Sequence, residues 1–92
     1  MVYEWDPAKA AANLSKHGVS FQEATTVFLD SLAISYSDPD HSVGEERFIT
    51  VGYSALSRLL LVAHRDLGEE RTRIMSARMA TPRERREHEE GR

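Results

Sequence analysis

The 92-residue sequence contains no cysteine, so neither disulfides nor thiolate metal sites can supplement its core, and a reducing cytoplasm is the simplest home. It lacks any apolar run approaching the roughly 20 residues of a membrane span. Its opening Met-Val-Tyr-Glu-Trp-Asp carries acids and no long apolar run, so no signal peptide is expected. Internal repeats and low-complexity tracts are also missing. A single domain over residues 1–92 is expected, with a core that is adequate but not generous at this length. Arginine is absent from the whole first half. Residues 1–46 hold two lysines and eight acids, whereas residues 47–92 hold ten arginines and seven acids, a division that the net charge of −3 hides. Arginine's planar fork suits phosphate and carboxylate alike, so a nucleic acid or an acidic protein can be a partner of the second half, as can plain solvent.

What is present is a series of local signals. Residues 71–78 alternate as a strand, placing Thr72, Ile74, Ser76 and Arg78 on one face and Arg71, Arg73, Met75 and Ala77 on the other. Thr81-Pro82-Arg83-Glu84 then matches a capping box with proline at the first helical position. At such a strand-to-helix junction Arg78 and the backbone N–H groups of the helix start suit an anion or phosphate, the alternative being an ion pair with a neighbouring carboxylate.

Upstream, Tyr3-Glu4-Trp5 reads as a short strand and Asp6-Pro7 as a helix start. An alanine-rich helix follows over 8–16 and ends at Gly18. Lys9, Asn13 and Lys16 recur at helical spacing with His17 at the end, forming either a phosphate-facing ridge or a solvated face. Ser20-Phe21-Gln22-Glu23 is a second capping box, opening a helix to about residue 29 with Phe21, Ala24, Val27 and Phe28 as its core stripe. A strand over 32–36 leads into an acidic turn. Its Asp38, Asp40 and His41 are too closely spaced around Pro39 for a metal site, so no metal is expected. Strands over 47–53 and from residue 58 follow, the latter an apolar run buried on both faces with His64 at its far end. A turn over 66–70 then makes an antiparallel meander with the strand at 71–78. Residues 82–90 favour a helix but carry almost no apolar side chain, so this helix is expected to dock only through charge and Met79.

Several of these residues carry a family resemblance. Trp5-Asp6-Pro7 with Lys9, Asn13-Leu14, Lys16-His17-Gly18-Val19-Ser20-Phe21, Glu45-Glu46-Arg47-Phe48, and Arg73-Ile74-Met75-Ser76-Ala77-Arg78 followed by Arg83-Glu84-Arg85 together resemble the BrnT family, the toxins of bacterial type II toxin-antitoxin pairs. The resemblance spans almost the whole chain. It implies an α+β, RelE-like fold in which two N-terminal helices pack on a small antiparallel sheet, with a C-terminal helix. It also implies a cofactor-free, metal-independent endoribonuclease that inhibits translation. Such a toxin is neutralised by a BrnA-type antitoxin with a ribbon-helix-helix DNA-binding domain, in a homo- or hetero-oligomeric complex.

RNA can be cut without a metal when its own 2′-hydroxyl attacks the adjacent phosphate, a route closed to DNA. The reaction needs proton transfer and cations around a crowded phosphorane. His64, His17 and Lys16 are candidates for the first, and Arg47 and Arg78 for the second. Lys9, Arg73, Ser76 and Arg85 are candidates for substrate binding. The alternative is a non-catalytic module whose basic face holds an acidic partner.

Overall fold

Side-chain caps set where each helix begins in the computed structural model, which describes residues 1–38, 46–68 and 70–91. The expected acidic turn at Asp40 and His41 lies outside the described residues. After strand β1 (Val2–Glu4), Asp6 accepts from Ala8 N at 2.9 Å and Pro7 opens helix α1 (Pro7–His17), which ends on Gly18 at φ 68°. Ser20 Oγ accepts from Glu23 N at 3.0 Å to start α2 (Phe21–Thr25). This helix lasts five residues and then tightens into a 3-10 turn, Thr26–Leu29, where one continuous helix was expected. The Thr25 and Thr26 hydroxyls each bond back to a carbonyl three residues earlier, at 2.7 Å, which competes with the regular ladder. The return half of the second capping box is replaced as well. The Glu23 carboxylate turns instead to Ser54 Oγ at 2.7 Å and to the Arg58 guanidinium, whose Nη2 also donates to Gly18 O at 3.0 Å.

The remaining elements are β2 (Ile34–Ser37), β3 (Phe48–Tyr53), β4 (Leu59–Gly68), β5 (Arg71–Met79) and α3 (Pro82–Glu90). The five strands form one sheet in the order β1-β5-β4-β3-β2. The meander β3-β4-β5 is antiparallel as expected, and β2 joins it antiparallel to β3. β1, however, runs parallel to β5, so the sheet is mixed. β4 also continues through Asp66 to Gly68, where a turn was expected. The reversal comes later, with Gly68 at φ 78° and Glu70 at φ 60°.

α1, α2 and the 3-10 turn cover one face of the sheet, which we call the helix face. Val19, Phe21, Ala24 and Val27 bury there against Leu60, Val62, Ile74 and Ala77. Gly52 allows the 3-10 turn to approach, since a Cβ at that position would lie 2.9 Å from Ala33 Cβ and 3.0 Å from Val27 Cγ1. The other face carries a smaller cluster, Val51, Leu59 and Leu61, flanked by Ile49, Tyr53 and Ala80. It is left open apart from α3. Among the described residues no helix is long and apolar enough to cross a membrane.

Two features fix the registration of the layers. The first is a bulge in β5. Ala63 pairs with Ser76 but His64 pairs with Ile74, leaving Met75 as an extra residue. The alternation therefore flips, and the faces differ from those read from the sequence. Thr72, Ile74 and Ala77 point to the helix face, while Arg71, Arg73, Ser76 and Arg78 share the open face. The second is Asn13, expected on a polar ridge with Lys9 and Lys16 but in fact buried at 7% exposure. Its Oδ1 accepts from Ala77 N at 3.0 Å, and its Nδ2 donates to Ala77 O at 2.8 Å and to Val19 O at 2.9 Å. The carboxamide thus stands in for a neighbouring strand on the part of the β5 edge that three-residue β1 does not reach.

Asn13→Ala should strand the Ala77 amide and carbonyl in a buried setting and lower stability by roughly 2–4 kcal/mol. Urea unfolding monitored by circular dichroism measures this directly, and a loss below about 0.5 kcal/mol would contradict it.

Candidate functional site

The sheet divides the candidate residues into two groups. Arg73, Ser76 and Arg78 lie on the open face, with Arg85 reaching in from α3. His64 lies on the helix face, and α1 carries Lys9, Lys16 and His17 on that same side of the sheet. The expected grouping of His64 with Arg78 is therefore not formed, because β4 alternation sends Leu61, Ala63 and Arg65 one way and Leu60, Val62 and His64 the other.

On the helix face His64 is 4% exposed. Its ring meets Phe28 edge-on at 4.9 Å and stacks near Phe48 at 6.0 Å. Nε2 lies 2.8 Å from Thr50 Oγ1, which in turn lies 2.5 Å from Ser35 Oγ. Nδ1 is buried 3.6 Å from Asp66 Oδ1, too far for a hydrogen bond. Burial pushes the imidazole pKa down, and Asp66 opposes this only in part. His64 is thus an interior, neutral histidine held between two phenyl rings. Lys9 and Lys16 are exposed and His17 is half-buried, none of them directed at a shared pocket by any described contact.

On the open face Arg65 and Arg73 are cross-strand partners. Arg47 stands one residue before β3, where alternation groups it with Ile49 and Val51, and its Nε is buried without a hydrogen-bond partner among the described residues. Arg73 Nη1 donates to Glu4 Oε2 at 3.0 Å, and Arg71 Nη2 to Glu4 Oε1 at 2.6 Å. Hydrogen bonds from Arg71 and then Arg73 hold the Glu4 carboxyl below its usual range. Arg78 forks onto Glu84, Nη1 to Oε1 at 2.8 Å and Nη2 to Oε2 at 2.9 Å. Glu84 also caps α3, accepting from Thr81 N at 2.9 Å while its own N–H donates to Thr81 Oγ1 at 3.1 Å. The Arg78 hydrogen bonds, with help from Thr81, pull the Glu84 carboxyl down to about 2. The alternative foreseen for Arg78, an ion pair, is therefore present, yet Arg78 keeps 41% of its side chain exposed.

α3 is better anchored than its composition suggested. Besides the Arg78–Glu84 fork, His88 is buried with its ring 6.3 Å from that of Tyr53, and Tyr53 Oη donates to Glu89 Oε1 at 2.9 Å. Arg85 Nη1 lies 3.5 Å from Tyr53 Oη. Between α3 and the sheet runs a groove of about 230 Å³, floored by Ile34, Tyr36, Val51 and Leu61 and walled by Glu84, Glu87 and His88. Burial, with Glu84 adding, pushes the Tyr36 phenol up. Tyr36 and Glu4 drew no functional reading from the sequence, and Glu84 drew only that of a cap. The one usable signal was Glu84 lying six residues after Arg78 across a short turn. Among the described residues no three His, Asp or Glu side chains converge as metal ligands would.

The family described as "Ribonuclease toxin, BrnT, of type II toxin-antitoxin system" has a sequence model that matches residues 5–84. The fold is similar to the 1.1 Å crystal structure of the Brucella abortus ribonuclease toxin, BrnT, with a TM-score of 0.66 and 23% identity, covering 88% of this chain and 99% of that one. No curated protein matches the chain.

A depressed carboxyl contributes stability above its unfolded pKa and loses it as pH falls through the folded value. Stability should therefore decline between about pH 4.5 and about pH 2 as Glu84 takes up a proton. Glu84→Gln should start less stable at pH 7 and flatten this part of the profile. Equal slopes for the two proteins in thermal melts across that window would show that the fork contributes nothing.

Proposed function

The chain belongs to the BrnT family of ribonuclease toxins of type II toxin-antitoxin systems, and from that premise we propose that it cleaves RNA, without a metal ion, on the open sheet face. The observation that carries this reading is the bulge at Met75, which lines up Arg73, Ser76 and Arg78 on one exposed surface, with Arg65 across from Arg73 and Arg47 alongside. Guanidinium groups in fixed positions are what an in-line attack of a 2′-hydroxyl on the adjacent phosphate requires. They bind the phosphate oxygens and stabilise the negative charge that builds as the phosphorane forms, while water takes the 2′-hydroxyl proton and returns one to the departing 5′-oxygen, leaving a 2′,3′-cyclic phosphate. The pairs with Glu4 and Glu84 support this role, since they orient the guanidinium planes before substrate arrives. Both pairs keep part of the guanidinium open to solvent, so a phosphate can reach it and compete with the carboxylate. Ser76 orients the backbone, and Arg85 extends the cationic surface along α3. His64, Lys16 and His17 lie on the other side of the sheet, where the buried His64 ring maintains the fold.

Within the same reading the toxin has a RelE-like arrangement, acts in the cytoplasm to inhibit translation, and is silenced by a BrnA-type antitoxin with a ribbon-helix-helix domain in a hetero-oligomer. A face of arginines already paired with carboxylates is also compatible with a module that only binds a partner. Purified toxin incubated with RNA in EDTA separates the two, since chelator-resistant cleavage supports the nuclease and intact RNA supports the binding module.

Arg78→Ala combined with Glu84→Gln, which leaves no orphaned charge, should lower turnover by about a hundredfold while the protein stays folded. Arg78→Lys should restore only part of the activity, because a point charge replaces a fork. His64→Gln should lower the melting temperature and leave cleavage per folded molecule within a few-fold of the parent. A fully active Arg78 variant, or an inactive but equally stable His64 variant, would reverse the assignment of the two faces.

A further inference from the structure

We propose that the outer edge of β2, unpaired among the described residues, is the docking site of the antitoxin, which adds an extended segment as a sixth strand and seats alternate side chains in the groove under α3. The proposal rests on the toxin-antitoxin reading but not on the RNA chemistry.

β2 is an outer strand of the sheet, and all four of its residues are exposed. Its sequence, Ile-Ser-Tyr-Ser, contains none of the lysines, prolines or inward charges that keep sheet edges from pairing. Large apolar side chains stand there instead, with Ile34 46% and Tyr36 47% exposed and Leu32, just before the strand, 52% exposed. The opposite side of the sheet is treated differently. There the Glu4 forks to Arg71 and Arg73 flank β1, and the Asn13 carboxamide occupies the rest of the β5 edge.

The register states what the added strand must carry. Arg78, Leu61, Val51 and Ile34 form one cross-strand row on the open face, and Ser76, Ala63, Ile49 and Tyr36 form the next. A strand laid beyond β2 continues both rows, so its residues beside Ile34 and Tyr36 face the groove and should be apolar. The groove wall adds the Glu87 carboxylate, paired only with exposed Arg83 at 3.1 Å among the described residues. A lysine or arginine in the segment satisfies it. This chemistry disfavours RNA as the occupant, because the groove lining presents an apolar floor and the Glu87 carboxylate and no arginine or lysine to meet a phosphate. It also disfavours a second copy of this chain, because two-fold pairing of β2 strands brings the same carboxylate walls together with no lysine in either strand.

The test uses the purified toxin and the antitoxin of the same pair. Hydrogen exchange should show the alternate β2 amides that point away from β3 fast in the free toxin and protected in the complex, as strand addition requires. Ile34→Ser with Tyr36→Ser, both at exposed positions and adding no charge to the open face, should weaken antitoxin binding by about a hundredfold and leave RNA cleavage by the free toxin unchanged. Glu87→Lys should weaken binding by about tenfold, and Val2→Asp on β1 should do neither. Unchanged antitoxin affinity in the double variant, or no protection at β2, overturns the proposal. So does loss of RNA cleavage in a folded double variant, which would give the groove to RNA, and so does a wild-type homodimer that the double variant splits. Antitoxin binding through this edge by a toxin that leaves RNA intact would sustain the docking site and remove the nuclease reading instead.

Discussion

The Asn13 side chain joins three segments: the middle of α1, the chain at Val19 after it, and the outer edge of β5. Three hydrogen bonds from one carboxamide set both the rotation of α1 and its height above the sheet. Ala77 is thereby held as firmly as if another strand lay beside it. A short β1 suffices for the rest of that edge because Asn13 completes it. The helix layer then follows, since Gly18 returns the chain from α1 and Arg58 binds Gly18 O and Glu23 together, fixing α2 over the start of β4.

Holding Ala77 in this way also settles the surface on the other side. With Met75 bulged out, Ala77 enters the core and Ser76 and Arg78 are displaced to the open face, where Arg71 and Arg73 already stand. A regular strand would have divided these arginines between the faces and buried some of them under the helices at the expense of the core. Packing a small side chain and gathering a field of positive charge are thus one event in this sheet. Carboxylates from the chain ends, Glu4 before α1 and Glu84 at the start of α3, then meet that field.

The helix starts were legible because capping is a local matter: Asp6-Pro7, Ser20 and Thr81-Pro82 each contain their own instruction, and Gly18 does so for an ending. The meander was legible because apolar β4 has to be central. The bulge was not, since residues 71–79 contain no glycine and adjacent Ile74 and Met75 were the one break in their alternation, while Ala77 just past the shift is held by Asn13 from 64 residues away. The parallel pairing of β1 is equally long-range. The same limit applied to the site. Arg73, Ser76, Arg78 and Arg85 were found by residue type and lie on one side, whereas His64 was chosen as the one strand histidine, and strand position alone does not reveal which face is sealed by Phe28. The shortening of α2 was within reach in principle, given Thr25-Thr26-Val27 in sequence.

Glu84 serves two structures with one carboxylate: its oxygens terminate the backbone of the first turn of α3 and neutralise Arg78. The two uses are thermodynamically linked. Any anion that captures Arg78 removes part of what anchors that turn, so α3 becomes easier to lift as the cation is occupied, and a helix pinned down from outside makes the cation harder to reach. In a chain this small, the state of the last nine-residue helix and the charge presented by the sheet are consequently a single variable.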